Sequence, residues 1–135
     1  MKTQICETNY KLHDIIARRG KDWTDDVHKR FERYLDGVVG TIERQCRYIE
    51  VRTNTYGLGL FCSKRTFVWV DVRTNFFSVQ CFTGSGLIDG LKKANWITGS
   101  DNLGSPKFRV TDENTLQMAI KFGLKAYELA LDYGA

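Results

Sequence analysis

The chain has little of what marks most catalytic and structural-metal sites. Its two histidines, His13 and His28, both fall in stretches that read as helices and have no partner at metal-ligand spacing. Its four cysteines, Cys6, Cys46, Cys62 and Cys81, are widely and irregularly spaced, with no CxxC pair. That argues against a zinc knuckle and for free thiols in a reducing cytosol. Pro106 is the one proline, and there is no low-complexity stretch or internal repeat. No apolar run approaches the ~20 residues needed to cross a bilayer. Met1 to Glu7 carries a lysine but no apolar core of a secretory signal. A cytoplasmic protein with no membrane segment is expected. G-x-S-x-G is missing, and so is any Cys/His pair in a known nucleophile motif. The residues therefore lean away from an enzyme, and they name no cofactor.

What is present is a globular balance of 42% hydrophobic and 27% charged residues, which excludes a disordered chain. At 135 residues a single domain is expected over positions 1–135, able to bury about 68% of its unfolded surface without a disulfide or a metal. The formal net charge is +4. The surplus is spread evenly along the chain, so it permits nucleic-acid binding without requiring it.

Periodicity gives the elements. Thr8 to Arg19 reads as a short helix stopped by Gly20. Thr24 is a good N-cap, Asp25 and Asp26 suit a first helical turn, and Val27, Phe31, Tyr34, Leu35 and Val38 share one face. Gly37 and Gly40 are expected to end that helix. Cys46–Thr53, Gly57–Cys62, Thr66–Val72 and Phe76–Phe82 then read as strands joined by short turns, hence antiparallel hairpins. A helical piece over Leu87–Ala94, a loop to Pro106 and a brief strand at Lys107–Val110 follow. Thr111 is expected to cap a last helix with the stripe Leu116, Ala119, Ile120, Gly123, Leu124, Tyr127 and Leu131. Lys121 and Lys125 fall on its solvated side, and its small residues suggest close approach to the strands. The pattern is α+β: an antiparallel meander of four to five strands, with the N-terminal and C-terminal helices packed on it.

Alternation puts Val68, Val70 and Val72 with Phe77, Val79 and Cys81 on one face. The other carries Phe67, Trp69 and Asp71 with Phe76, Ser78, Gln80 and Phe82. This second face is aromatic where a two-layer domain should be polar, so it is either covered or a binding surface. Basic residues lie near it: Arg47, Arg52 and Arg73 on or beside strands, and Lys64 and Arg65 at a hairpin tip. Cations interleaved with aromatics on a sheet suit stacking of single-stranded bases. A separate candidate is the turn Thr83, Gly84, Ser85 and Gly86 leading into a helix. Its amides would hold an anion, backed by Lys92 and Lys93, although the spacing of a Walker loop is absent. Tyr48–Arg52, with Asp36 upstream, resembles the E-x-K strand of metal-dependent nucleases. Arginine replaces the lysine, however, and two-metal chemistry needs further converging carboxylates.

A chain of features carries a wider resemblance: the helix FERYLDGV, the Tyr48-Ile49 strand, the hairpin TFVWVDVRTNFFSVQCF, the Trp96 loop, and Phe108-Arg109-Val110 running into DENTLQMAIKFGLKAYE. From about Val27 onward the chain resembles a small bacterial family labelled "predicted transport protein". That family is a domain of unknown function, also found appended to restriction-type and other DNA-handling proteins. Where the family has a His-Trp-Gly-x-Gly-like turn, this chain has Asn95-Trp96-Ile97-Thr98-Gly99-Ser100-Asp101. The expectation is a non-enzymatic module that engages nucleic acid through its basic and aromatic strand face. The alternatives are a protein-interaction module, such as a small phage- or defence-related regulator or inhibitor, with a homodimer as one form of association, and a sensor of small anions or nucleotides.

Overall fold

The computed structural model describes residues 3–6, 11–82 and 107–133. Among these residues six strands, β1 (Thr3–Cys6), β2 (Ile49–Thr53), β3 (Gly57–Phe61), β4 (Thr66–Val72), β5 (Phe77–Cys81) and β6 (Lys107–Val110), form one sheet in chain order. From β2 to β6 every pairing is antiparallel, the meander expected from the short turns. The sequence pattern did not reveal β1, which pairs parallel to β2 at the edge. A parallel pair needs a long crossover. Here it is supplied by α1 (Leu12–Arg19), α2 (Asp25–Leu35), a π-helical turn (Asp36–Gly40) and α3 (Thr41–Arg44). After β6 comes α4 (Glu113–Tyr133). No helix among the described residues is long and apolar enough to cross a membrane.

The strand register matches the alternation. Val68 stands opposite Cys81, Val70 opposite Val79 and Val72 opposite Phe77, all buried. With Val51, Leu58 and Leu60 they make the covered face of the sheet. α2 seals it through Phe31 and Tyr34, whose rings lie 5.1 and 5.9 Å from Phe77. Trp23, in the link between α1 and α2, stacks on Phe31 and Phe77 and donates its Nε1–H to the Arg73 carbonyl at 2.9 Å. Phe67 departs from the expectation. The register shifts between Leu60 and Phe61, and Phe67 meets Tyr127 of α4 edge-on at 5.1 Å. A bulge of this kind turns one residue out of the alternation.

Three helix details also differ from expectation. Gly37 and Gly40 do not end α2. The helix widens through the π turn, continues as α3 and stops at Gln45. The glycine serves packing instead: a Cβ on Gly37 would lie 2.7 Å from Ile120 Cδ1, and one on Gly123 would lie 3.0 Å from Val38 Cγ2. The two helices thus interlock, each side chain seated on the other's glycine, so Gly123 faces α2 and its continuation rather than the strands. The buried side of α4 is accordingly rotated. Leu116, Ala119, Phe122, Ala126, Tyr127 and Ala130 are its buried apolar side chains, while Ile120, Leu124 and Leu131 are half-buried and Lys121 and Lys125 exposed. Finally, the cap of α4 is Asp112, not Thr111. Its carboxylate accepts from the Thr115 N–H at 2.7 Å, and the Thr115 hydroxyl accepts from the Asp112 N–H at 3.0 Å. The Thr115 N–H, and then the Thr115 hydroxyl donating to the same carboxylate at 2.9 Å, lower the Asp112 pKa.

Candidate nucleic-acid interface

The face of the sheet opposite the core is assembled from two rows of residues. One runs across five strands through Arg52, Gly59, Trp69, Gln80 and Lys107. The next runs through Gly57, Asp71, Ser78 and Arg109. Arg52 and Arg109 are exposed, Trp69, Asp71, Gln80 and Lys107 half-buried, and Ser78 buried. Glycines stand at alternate positions of β3 on this face, and the Thr66 side chain lies beside Gly59, the residue opposite Trp69. At Gly57 nothing larger fits, since a Cβ would lie 2.0 Å from the Val70 carbonyl oxygen. A cavity of about 220 Å³ on this face is walled by Tyr56, Trp69, Asp71, Gln80 and Lys107. Asn54 shapes its rim by accepting from the N–H groups of Tyr56 and Gly57 at 2.8 and 2.9 Å.

Charge on this face centres on Asp71. Its carboxylate takes Arg73 at 3.1 Å, Arg19 at 3.5 Å and Lys107 at 3.5 Å. One acceptor thereby positions three cations. Guanidinium groups also lie over rings around the same face: Arg52 over Phe61 at 3.7 Å, Arg109 over Phe76 at 4.5 Å and Arg19 over Tyr56 at 5.0 Å. Such pairs hold flat cationic surfaces in place, a form on which bases stack and phosphates pair.

The residues singled out from the sequence fall into three groups. Arg52, Trp69 and Arg73 come together on or beside this face. Arg65, at the β3–β4 hairpin, stacks on Phe82 at 3.7 Å, and Lys64 is exposed at the tip. Arg47 is elsewhere. It pairs with Glu128 of α4 and lies over the Tyr127 ring at 4.8 Å, beside the helices. The hydrogen bond to Glu128 raises its pKa. The anion turn, Thr83, Gly84, Ser85 and Gly86 with Lys92 and Lys93, lies outside the described residues, as does the Trp96 loop. The nuclease-like carboxylates do not converge: Glu50 is held by Tyr48 and by Arg52 at 2.6 Å, and Asp36 by Arg44 at 3.3 Å.

The sequence reading missed Arg19, Lys107 and Arg109. The alternation in Lys107-Phe108-Arg109-Val110 would have placed Lys107 and Arg109 on the Trp69 face, given only that β6 pairs with β5. Arg19 had no such signal, because only the folded path of α1 brings it to Asp71. A scan against protein-family models finds none that matches the chain, and searches of curated proteins and of solved structures return no match either.

Proposed function

We propose that this chain is a non-enzymatic module that binds single-stranded nucleic acid across the open face of its sheet. The row Arg52–Gly59–Trp69–Gln80–Lys107, flanked by Arg109 and Arg73, carries the reading. It offers a ring beside two strand glycines, with cations on both sides. A base stacked on Trp69 would lie over Gly59, and its flanking phosphates would meet Arg52 and Lys107. The resemblance to domains appended to DNA-handling proteins points the same way.

Anisotropy of labelled single-stranded DNA and RNA, titrated with salt, tests the reading. Affinity is expected to fall with a log–log slope of about −0.7 per phosphate contacted. Trp69→Ala should weaken binding by about 1–3 kcal/mol, as loss of one stacked base does. Failure to bind any single strand at low salt would refute the proposal.

A further inference from the structure

Beyond the end of β4, a second cavity of about 390 Å³ opens between the C-terminus of α1 and the β4–β5 turn. Arg18, Arg19, Lys21 and Arg73 line it with Thr74. Self-repulsion among these four cationic side chains is offset in part by the one carboxylate of Asp71, which Lys107 shares. Two of the guanidiniums are fixed before any ligand arrives. Arg19 donates its Nε–H to the Val72 carbonyl at 3.0 Å and reaches Asp71 through Nη2, while Arg73 Nε meets the other Asp71 oxygen at 3.1 Å. Arg18 is held as well, donating to the Thr55 carbonyl at 2.9 Å. Each arginine has five N–H donors in a rigid fork, so the anchors of Arg19 and Arg73 leave others for a ligand and cut the entropy lost on binding it.

We infer that this cavity is a phosphate pocket that takes the terminal phosphomonoester of a nucleic-acid strand lying on the open face. The inference rests on the single-strand reading above. Asp71 walls the Trp69 cavity and also anchors two of the arginines here, so the two sites adjoin through one residue. A third cavity, lined by Arg73, Phe76 and Arg109, flanks the same turn. A strand leaving Trp69 along β4 therefore arrives at a wall formed by α1. A monoester end carries about −1.5 to −2 charges at neutral pH, against one for an internal diester, and so suits a pocket richer in cations than the face that leads to it.

The test compares one short labelled oligonucleotide with a 5′-phosphate, a 3′-phosphate or hydroxyl ends. One phosphorylated form should bind about tenfold more tightly than the hydroxyl form, as one strong charge-assisted contact implies. Lys21 and Arg18 are exposed, so Lys21→Ala and Arg18→Ala should fold normally by circular dichroism. Each should shrink the phosphate preference and leave hydroxyl-end affinity within about twofold. Inorganic phosphate should compete with the phosphorylated form alone. Equal affinity for all three ends would overturn the pocket and leave the strand-face reading standing. A preference that survives both substitutions would also overturn it. If no oligonucleotide binds, both fall together.

Discussion

Cys46 closes the long helical stretch with φ of 56°, in the left-handed region that favours glycine. Its N–H bonds the Glu43 carbonyl at 2.9 Å, and the Arg47 N–H reaches back to Ile42 at 3.1 Å. This double bond pattern is the Schellman stop, in which glycine is the usual occupant. A side chain there costs about 1–2 kcal/mol of local strain, partly offset by the greater freedom that glycine regains on unfolding. Cys46→Gly is therefore expected to raise the urea midpoint, with a net gain of about 0.5–1 kcal/mol. A lower midpoint would mean that the thiol makes contacts worth more than the strain. Cys81 is the contrasting thiol: burial pushes its pKa up to about 12, so it stays protonated and unreactive while the protein is folded.

Between elements, the joint of α2 with α4 shows what the sequence disclosed and what it hid. The apolar face of α2 and the valine strand faces were legible because period and burial agree there. The roles of Gly37 and Gly123 were not, because glycine's usual local meaning is a stop, whereas close approach to Ile120 and Val38 is set by tertiary packing. The bulge that carries Phe67 to Tyr127 was hidden for the same reason: a register shift leaves no periodic trace. The same joint is tied at the surface by Arg33 and Glu113, with Nη2 to Oε2 at 2.9 Å. Hydrogen bonds from Arg33 and then Gln117 hold the Glu113 carboxyl down to about 2. A depressed carboxylate stabilises above its unfolded value, about 4.3, and that stabilisation is lost as pH falls through the folded value. The urea midpoint of Glu113→Gln should thus lie below wild type at neutral pH and converge with it toward pH ~2. High salt should narrow the gap, because the pair is exposed. A difference that does not change with pH would assign the effect to something other than this charge.

At the scale of the whole molecule, the sheet divides its labour between two faces. The face under α2 and α4 holds the wholly buried Leu58, Leu60, Val68 and Val79. The other holds cations around a ring and two glycines. Trp69 and two of the cations, Arg52 and Arg73, were readable from the sequence, but Phe67 and Phe82, expected on that face, are buried in the core, and Arg19 reaches the face only through the tertiary path of α1. If one face folds the chain and the other binds, substitutions on them should separate cleanly. Leu60→Ala should cost about 2–5 kcal/mol of stability, while the fraction that remains folded binds single strands with unchanged affinity. Arg109→Ala touches an exposed side chain, so its stability should stay within about 0.5 kcal/mol of wild type. Its affinity should drop and its salt slope become shallower by about 0.7, the signature of one lost phosphate contact. Because Leu60 and Arg109 lie on opposite faces, their effects should add in the double variant. If Leu60→Ala instead lowers the affinity of the folded protein while Arg109→Ala leaves it untouched, the ligand sits on the helical side, and the open face is stabilised for some other purpose.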